Sequence, residues 1–101
     1  MARLTKKLAK QFLSNCAPEH CFWCRDGRIL CNLRELAEAL ESMSGETFSY
    51  HANKEKNDFA KWVEDIFHDS ALASELRRAR KASGAARRVK ARIAELEKLA
   101  K

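Results

Sequence analysis

Apolar residues recur along most of the chain at intervals of three and four, the spacing that gathers them on one side of an α-helix. Leu4, Leu8 and Phe12, with Leu13 beside them, form such a stripe over residues 4–14, with lysines between and Thr5 placed as a cap. Leu33, Leu36, Ala37, Leu40 and Met43 form a second. Asn32 stands three residues before Glu35, the spacing of a capping box, and Ser44-Gly45 stops this helix. Ser44 can then cap a short helix through Thr47, Phe48 and His51, and the polar run HANKEK links it onward. Phe59, Trp62, Val63, Ile66 and Phe67 make the broadest stripe, opened by Asn57 or Asp58, and this pattern predicts the helix at the centre of the fold. Leu72, Leu76 and Ala79 follow a start at Asp69 or Ser70. Ser83-Gly84 predicts a break, after which Ala86, Val89, Ile93, Leu96 and Ala100 give a last helix with a thin stripe.

Residues 16–31 do not follow that rhythm. Pro18 ends the first helical pattern, and Asp26-Gly27 is a turn signal with Phe22 and Trp23 before it and Ile29 and Leu30 after it. A two-residue hairpin loop at Asp26-Gly27 sets Cys24 opposite Ile29 and Phe22 opposite Cys31. The expected fold class is therefore mainly α (small α+β): a compact helical domain with a short N-terminal β-hairpin. The expected organisation is a single domain over 1–101. It comprises a basic N-terminal helix (1–15), a cysteine-rich hairpin (16–31), a helical core (32–82) and a basic C-terminal helix (84–101).

The length of 101 residues holds one domain and excludes a large multidomain catalyst. With 46% hydrophobic and 34% charged residues, the chain has enough apolar material to fold. The net charge of +6 is unevenly spread. Residues 1–15 carry four basic groups and no acid, 32–69 carry nine acids against four bases, and 70–101 carry ten bases against three acids. No apolar run reaches the roughly 18–20 residues of a membrane span, and the first residues read as a structural helix rather than a secretory signal. A cytoplasmic location is the expectation.

Cys16, Cys21, Cys24 and Cys31 lie within sixteen residues in a C-x4-C-x2-C-x6-C pattern. Four thiolates suit structural zinc, which takes them tetrahedrally, and a C-x2-C pair can grip one ion from a tight turn. The expectation is a four-cysteine site for structural Zn2+ that ties the hairpin to the first helix, with His20 nearby. Two local disulfides in an oxidising compartment, or burial of unpaired thiols, are the alternatives. Four sulfur ligands leave no open position, so the zinc would not be catalytic.

Basic residues supply the second candidate surface. Arg77, Arg78, Arg80, Lys81, Arg87, Arg88, Lys90 and Arg92 fall within sixteen residues, and Lys6, Lys7 and Lys10 lie near the start. Such clusters can meet phosphates, and arginine can do so with two hydrogen bonds. The competing readings are a solubilising face, and binding of an acidic protein or of the chain's own acidic middle. No HExxH, phosphate-binding glycine loop or GxSxG is present, and no enzyme is expected. His51 reads as a packed or capping histidine, and His68 as a favourable charge at a helix C-terminus.

The run from Leu33, L-x-E-L-A-E-A-L-x-x-M-S-x-E-T-F-S-Y-H-x-N-K-E-K-N-D-F-A-K-W-V, resembles a small prokaryotic domain family, notably archaeal. The resemblance extends from about Phe22 to Ile93. Its most specific part is His51, Asn53, Asn57, Asp58, Phe59 and Trp62, in the arrangement H-x-N-x-x-x-N-D-F-x-x-W. It implies a compact helical domain opening on a short hairpin, and no established activity. Together these features lead to the expectation of a zinc-stabilised nucleic-acid-binding protein. RNA is slightly favoured over DNA, and membership of a ribonucleoprotein particle with protein neighbours fits the same features. A small zinc-containing adaptor that binds protein rather than nucleic acid is the alternative.

Overall fold

The computed structural model describes residues 4–101. Helix α1 spans Lys6–Leu13, with the Thr5 side chain accepting from the Leu8 N–H as its cap. A 3-10 turn at Pro18–His20 leads to a two-stranded antiparallel hairpin, β1 (Phe22–Trp23) and β2 (Ile29–Leu30). Helix α2 (Leu33–Ser42) starts at Asn32, which accepts from the Glu35 N–H, while the Glu35 carboxylate accepts from the Cys31 N–H. Helix α3 (Gly45–His51) starts at Ser44, and α4 (Asp58–Trp62) at Asn57, each capped by its own side-chain oxygen. Helix α5 covers Ser70–Arg78 and α6 covers Ala82–Ala100. The mainly helical chain with a short antiparallel hairpin is the expected one. Among the described residues no helix is long and apolar enough to cross a membrane.

Three local outcomes differ from the sequence reading. The hairpin pairs Phe22 with Leu30 and Trp23 with Ile29, one residue away from the expected register. The Gly27 N–H donates to the Cys24 carbonyl and the Cys24 N–H to the Arg28 carbonyl, so the loop has three residues, Arg25-Asp26-Gly27. Gly27 has φ +99°, which is the left-handed position that closes such a loop and that glycine adopts without strain. Second, the stripe over 59–67 is not one α-helix: α4 widens into a π-helical segment, Val63–Phe67, and His68 terminates it with φ 63°. His68 thus stands at a helix C-terminus, as expected, with its backbone in the left-handed region. Third, Ser83-Gly84 lies inside the first turn of α6, and the break falls at Ala79–Lys81, where the chain is extended.

The core is built on Phe59, which is fully buried and touches the rings of Phe22, Phe48 and His51 at centroid distances of 5.2, 5.8 and 5.3 Å. Leu33, Leu36 and Leu40 of α2 and Val89, Ile93 and Leu96 of α6 are buried with it, and α6 packs across both α2 and α1. A buried carboxylate fixes the end of this assembly. Asp69 is 1% exposed, caps α5 by accepting from the Leu72 N–H, and takes Nε and Nη2 of Arg92 at 2.9 Å each. The paired geometry satisfies a charge that would otherwise be costly inside the fold.

Candidate functional site

The hairpin register decides the fate of the cysteines. Side chains alternate along a strand, so Phe22, Cys24 and Leu30 face the core, while Trp23 and Ile29 face outward. Extending the observed pairing by one step sets Cys21 opposite Cys31, on the outward side. Their Cα atoms are 4.6 Å apart, the separation of a non-hydrogen-bonded antiparallel pair, and the two sulfurs form a disulfide. Cys24, three residues from Cys21, points the other way and is buried as a free thiol. Burial pushes this thiol's pKa up.

These positions correct the expected four-cysteine site for zinc. Cys21 and Cys31 are joined to each other, Cys24 is turned into the core, and only Cys16 remains beside the bond. Among the described residues no three His, Cys, Asp or Glu side chains are arranged to hold a metal ion. The expected structural Zn2+, with Cys16, Cys21, Cys24 and Cys31 as its ligands, is thus replaced by one disulfide and two thiols. The hairpin's fastening is covalent.

Cys16 follows α1, and its backbone N–H donates to the Cys31 carbonyl at 2.8 Å. This hydrogen bond holds the segment after α1 against the end of β2. The Cys16 Sγ lies 3.7 Å from the Cys21 Sγ. Partial burial pushes the Cys16 thiol's pKa up, and the carboxylates of Glu35 and Glu19 add to that effect. Three sulfurs therefore form one group, in which a protonated thiol adjoins a disulfide. The signal was present in the sequence: Asp26-Gly27 with a three-residue loop puts Cys21 and Cys31 across from each other, whereas a two-residue loop does not.

His51 is 4% exposed and serves the fold. Its Nε2 accepts from the Arg25 N–H at 3.0 Å, so the ring proton sits on Nδ1 and is shared with the Asp58 carboxylate at 3.0 Å. The ring also packs edge-on against Phe22 and Tyr50. This is the packed histidine of the sequence reading, and it ties the hairpin loop to the start of α4. Asn53 and Asn57 are likewise occupied: Asn53 accepts from Glu55 and Lys56 N–H groups, while Asn57 caps α4 and donates to the Leu76 carbonyl. His20 is exposed, and its carbonyl accepts from the Trp62 indole at 2.7 Å.

Several of the basic residues are engaged in ion pairs. Arg77 pairs with Glu64 at 2.8 Å, Lys90 with Glu41 at 2.7 Å and Arg92 with Asp69, each joining the basic C-terminal third to the acidic middle. Arg88 pairs with Glu75 at 2.6 Å, and Arg78 lies 3.7 Å from the same residue. Lys6, Lys7 and Lys10 are exposed on α1; Arg80, Lys81 and Arg87 are placed on or beside α5 and α6, with no ion pair among the described residues. The expectation of a zinc-stabilised nucleic-acid-binding protein, RNA-associated or in a ribonucleoprotein particle, is accordingly corrected. Its zinc has no site, and five of the eleven basic residues named for phosphate contact, Arg77, Arg78, Arg88, Lys90 and Arg92, are engaged by carboxylates of the chain itself. The zinc-containing adaptor loses the same foundation. The sequence reading missed the buried Asp69–Arg92 pair, for which the only cue was an acidic cap residue and a distant arginine.

No protein-family model, curated protein or solved structure matches the chain.

Proposed function

We propose that the chain is a redox-responsive helical domain, whose hairpin is fastened or released by thiol–disulfide chemistry at Cys16, Cys21 and Cys31. The observation that carries this reading is the Cys16 Sγ 3.7 Å from the Cys21 Sγ of the Cys21–Cys31 bond. In an internal exchange, Cys16 loses its proton and its thiolate attacks the Cys21 sulfur. A Cys16–Cys21 bond forms, the Cys21–Cys31 bond breaks, and Cys31 leaves as the thiolate that takes up the proton. No electrons are gained or lost in that step. Full opening takes two electrons and two protons from a dithiol or from two molecules of a monothiol reductant, which end as a disulfide.

The raised Cys16 pKa favours a slow switch over a turning-over oxidoreductase, because the attacking species is the thiolate and little of it is present near neutral pH. A switch also accommodates a cytoplasmic location, where a disulfide stands only under oxidising conditions. The expected link between redox state and structure follows from the position of the bond. It closes the ends of a two-stranded ribbon, a unit that holds itself together poorly in water.

The test is equilibration of the whole chain in glutathione buffers of graded potential, acid quenching, alkylation and disulfide mapping by mass spectrometry. The expected result is a reversible transition from Cys21–Cys31 to thiols, with a trapped Cys16–Cys21 species that disappears in Cys16→Ser. Hydrogen exchange should rise at Phe22–Cys31 in the reduced form. A Cys21–Cys31 bond that persists at every potential, the absence of any Cys16–Cys21 species, or unchanged exchange in the hairpin after reduction would overturn the reading.

A further inference from the structure

A second feature lies apart from the sulfurs. A surface cavity of about 570 Å³ opens between the 52–57 link and the end of α5. Its floor is apolar, made by Phe48, Ala52 and Ala79, and its rim carries Lys54, Lys56, Arg77 and Arg80 against the single carboxylate of Glu55. Lys56 is engaged by Asp58 and Arg77 by Glu64, while Lys54 and Arg80 have no carboxylate partner among the described residues. Hydrogen bonds brace the backbone around it. Asn57 ties the link to α5 through the Leu76 carbonyl, Asn53 closes the link on itself, and Ala52 and Asn57 form a β-bridge.

We infer that this cavity binds a small organic phosphate, a phosphate monoester whose apolar body lies on Phe48 and Ala79 and whose dianion is held by Arg80 and Lys54. Three properties of the cavity select that class. Its volume falls within the range of small-molecule sites. Its excess of cations suits a doubly charged group, and the Arg80 guanidinium can give two parallel hydrogen bonds to one phosphate. Its apolar floor adds affinity for a ligand with a hydrocarbon or aromatic portion and none for the bare ion. The site is independent of the disulfide, so the failure of either reading leaves the other in place.

The probe is p-nitrophenyl phosphate, titrated at low salt into the isotopically labelled, oxidised full chain, with backbone amide shifts as the readout. Inorganic phosphate is titrated in parallel. The expected result is saturable shifts confined to residues 53–57 and 77–80, with tighter binding of the ester than of inorganic phosphate. Arg80→Glu and Lys54→Glu each reverse an exposed charge that supports no described ion pair, and each should weaken binding about tenfold or more. Lys98→Glu, an exposed charge on α6 outside the cavity, should change it less than about twofold. Circular dichroism of each variant confirms the fold. Shifts that never saturate, equal affinity for ester and bare phosphate, or equal losses in Arg80→Glu and Lys98→Glu would refute the inference.

Discussion

Replacing Arg92 by methionine should expose how much of the fold depends on one buried charge pair. The Asp69 side chain is 1% exposed and that of Arg92 14%, so neither charge is effectively solvated. In the native chain Asp69 accepts from the Leu72 N–H and from two guanidinium N–H groups. Arg92→Met keeps an apolar stem of similar length against α5 but leaves the carboxylate with the Leu72 N–H alone. Removing one partner of a buried pair costs about 3–5 kcal/mol, because the remaining charge stays desolvated. Two lost charge-assisted hydrogen bonds at about 1.5 kcal/mol each lead to the lower end of that range. With an m-value of about 1.5 kcal/mol/M in urea, a loss of about 3 kcal/mol lowers the denaturation midpoint by about 2 M. The assay is urea unfolding followed by circular dichroism and by the fluorescence of Trp23 and Trp62. Asp69→Asn added to Arg92→Met keeps the cap to Leu72, removes the orphan charge and should restore at least about half of the loss. A loss below about 1 kcal/mol in Arg92→Met, the range of a solvent-exposed pair, would refute the reasoning.

Three more outcomes follow from other contacts. Reducing the Cys21–Cys31 bond frees a loop with a sequence separation of 10, and the chain-entropy argument predicts a stability loss of roughly 3 kcal/mol, measurable as a lower urea midpoint in reductant. Gly27→Ala, at φ +99°, should destabilise by about 1 kcal/mol through backbone strain, although nothing lies within 4 Å of the added carbon; differential scanning calorimetry reads this directly. Burial alone would raise the Asp58 carboxyl pKa, but hydrogen bonds from His51 and Lys56 and the Lys56 charge outweigh burial and hold it below the usual carboxylate range. A folded-state pKa below the unfolded value stabilises fully above about pH 4 and ceases to do so as pH falls through the lowered value. The urea midpoint of the native chain should therefore drop between about pH 5 and 3, and Asp58→Asn should show a flatter profile over that interval.

Much of the helical architecture was legible because caps and stripes agree locally. Thr5, Asn32, Ser44 and Asn57 each precede an apolar periodicity, and each caps the helix that follows. Where two local signals competed, the pattern could not arbitrate. Asp26-Gly27 serves two loop lengths, and choosing the shorter slipped the register by one residue. In the observed register Cys21 lies across from Cys31, where the slipped one left it free to be a metal ligand. Period-2 alternation makes such an error all-or-none, since every side chain changes face. Gly84 also misled, because glycine is tolerated in a first helical turn where the backbone is still solvated, and the 79–81 break carries no glycine or proline. The ion pairs were invisible for a different reason. Arg92 and Asp69 are 23 residues apart, and only the packing of α6 onto α5 brings them together.

That same arrangement sets the order in which the molecule can come into being. Helix α6 lies across α1 and α2, so the apolar sides of those two helices lack their most extensive cover until Ala82–Ala100 has been synthesised and has left the ribosome. A nascent chain halted before that point leaves apolar surface of α1 and α2 open to a chaperone or to aggregation. Completion of the core is therefore timed by translation of α6.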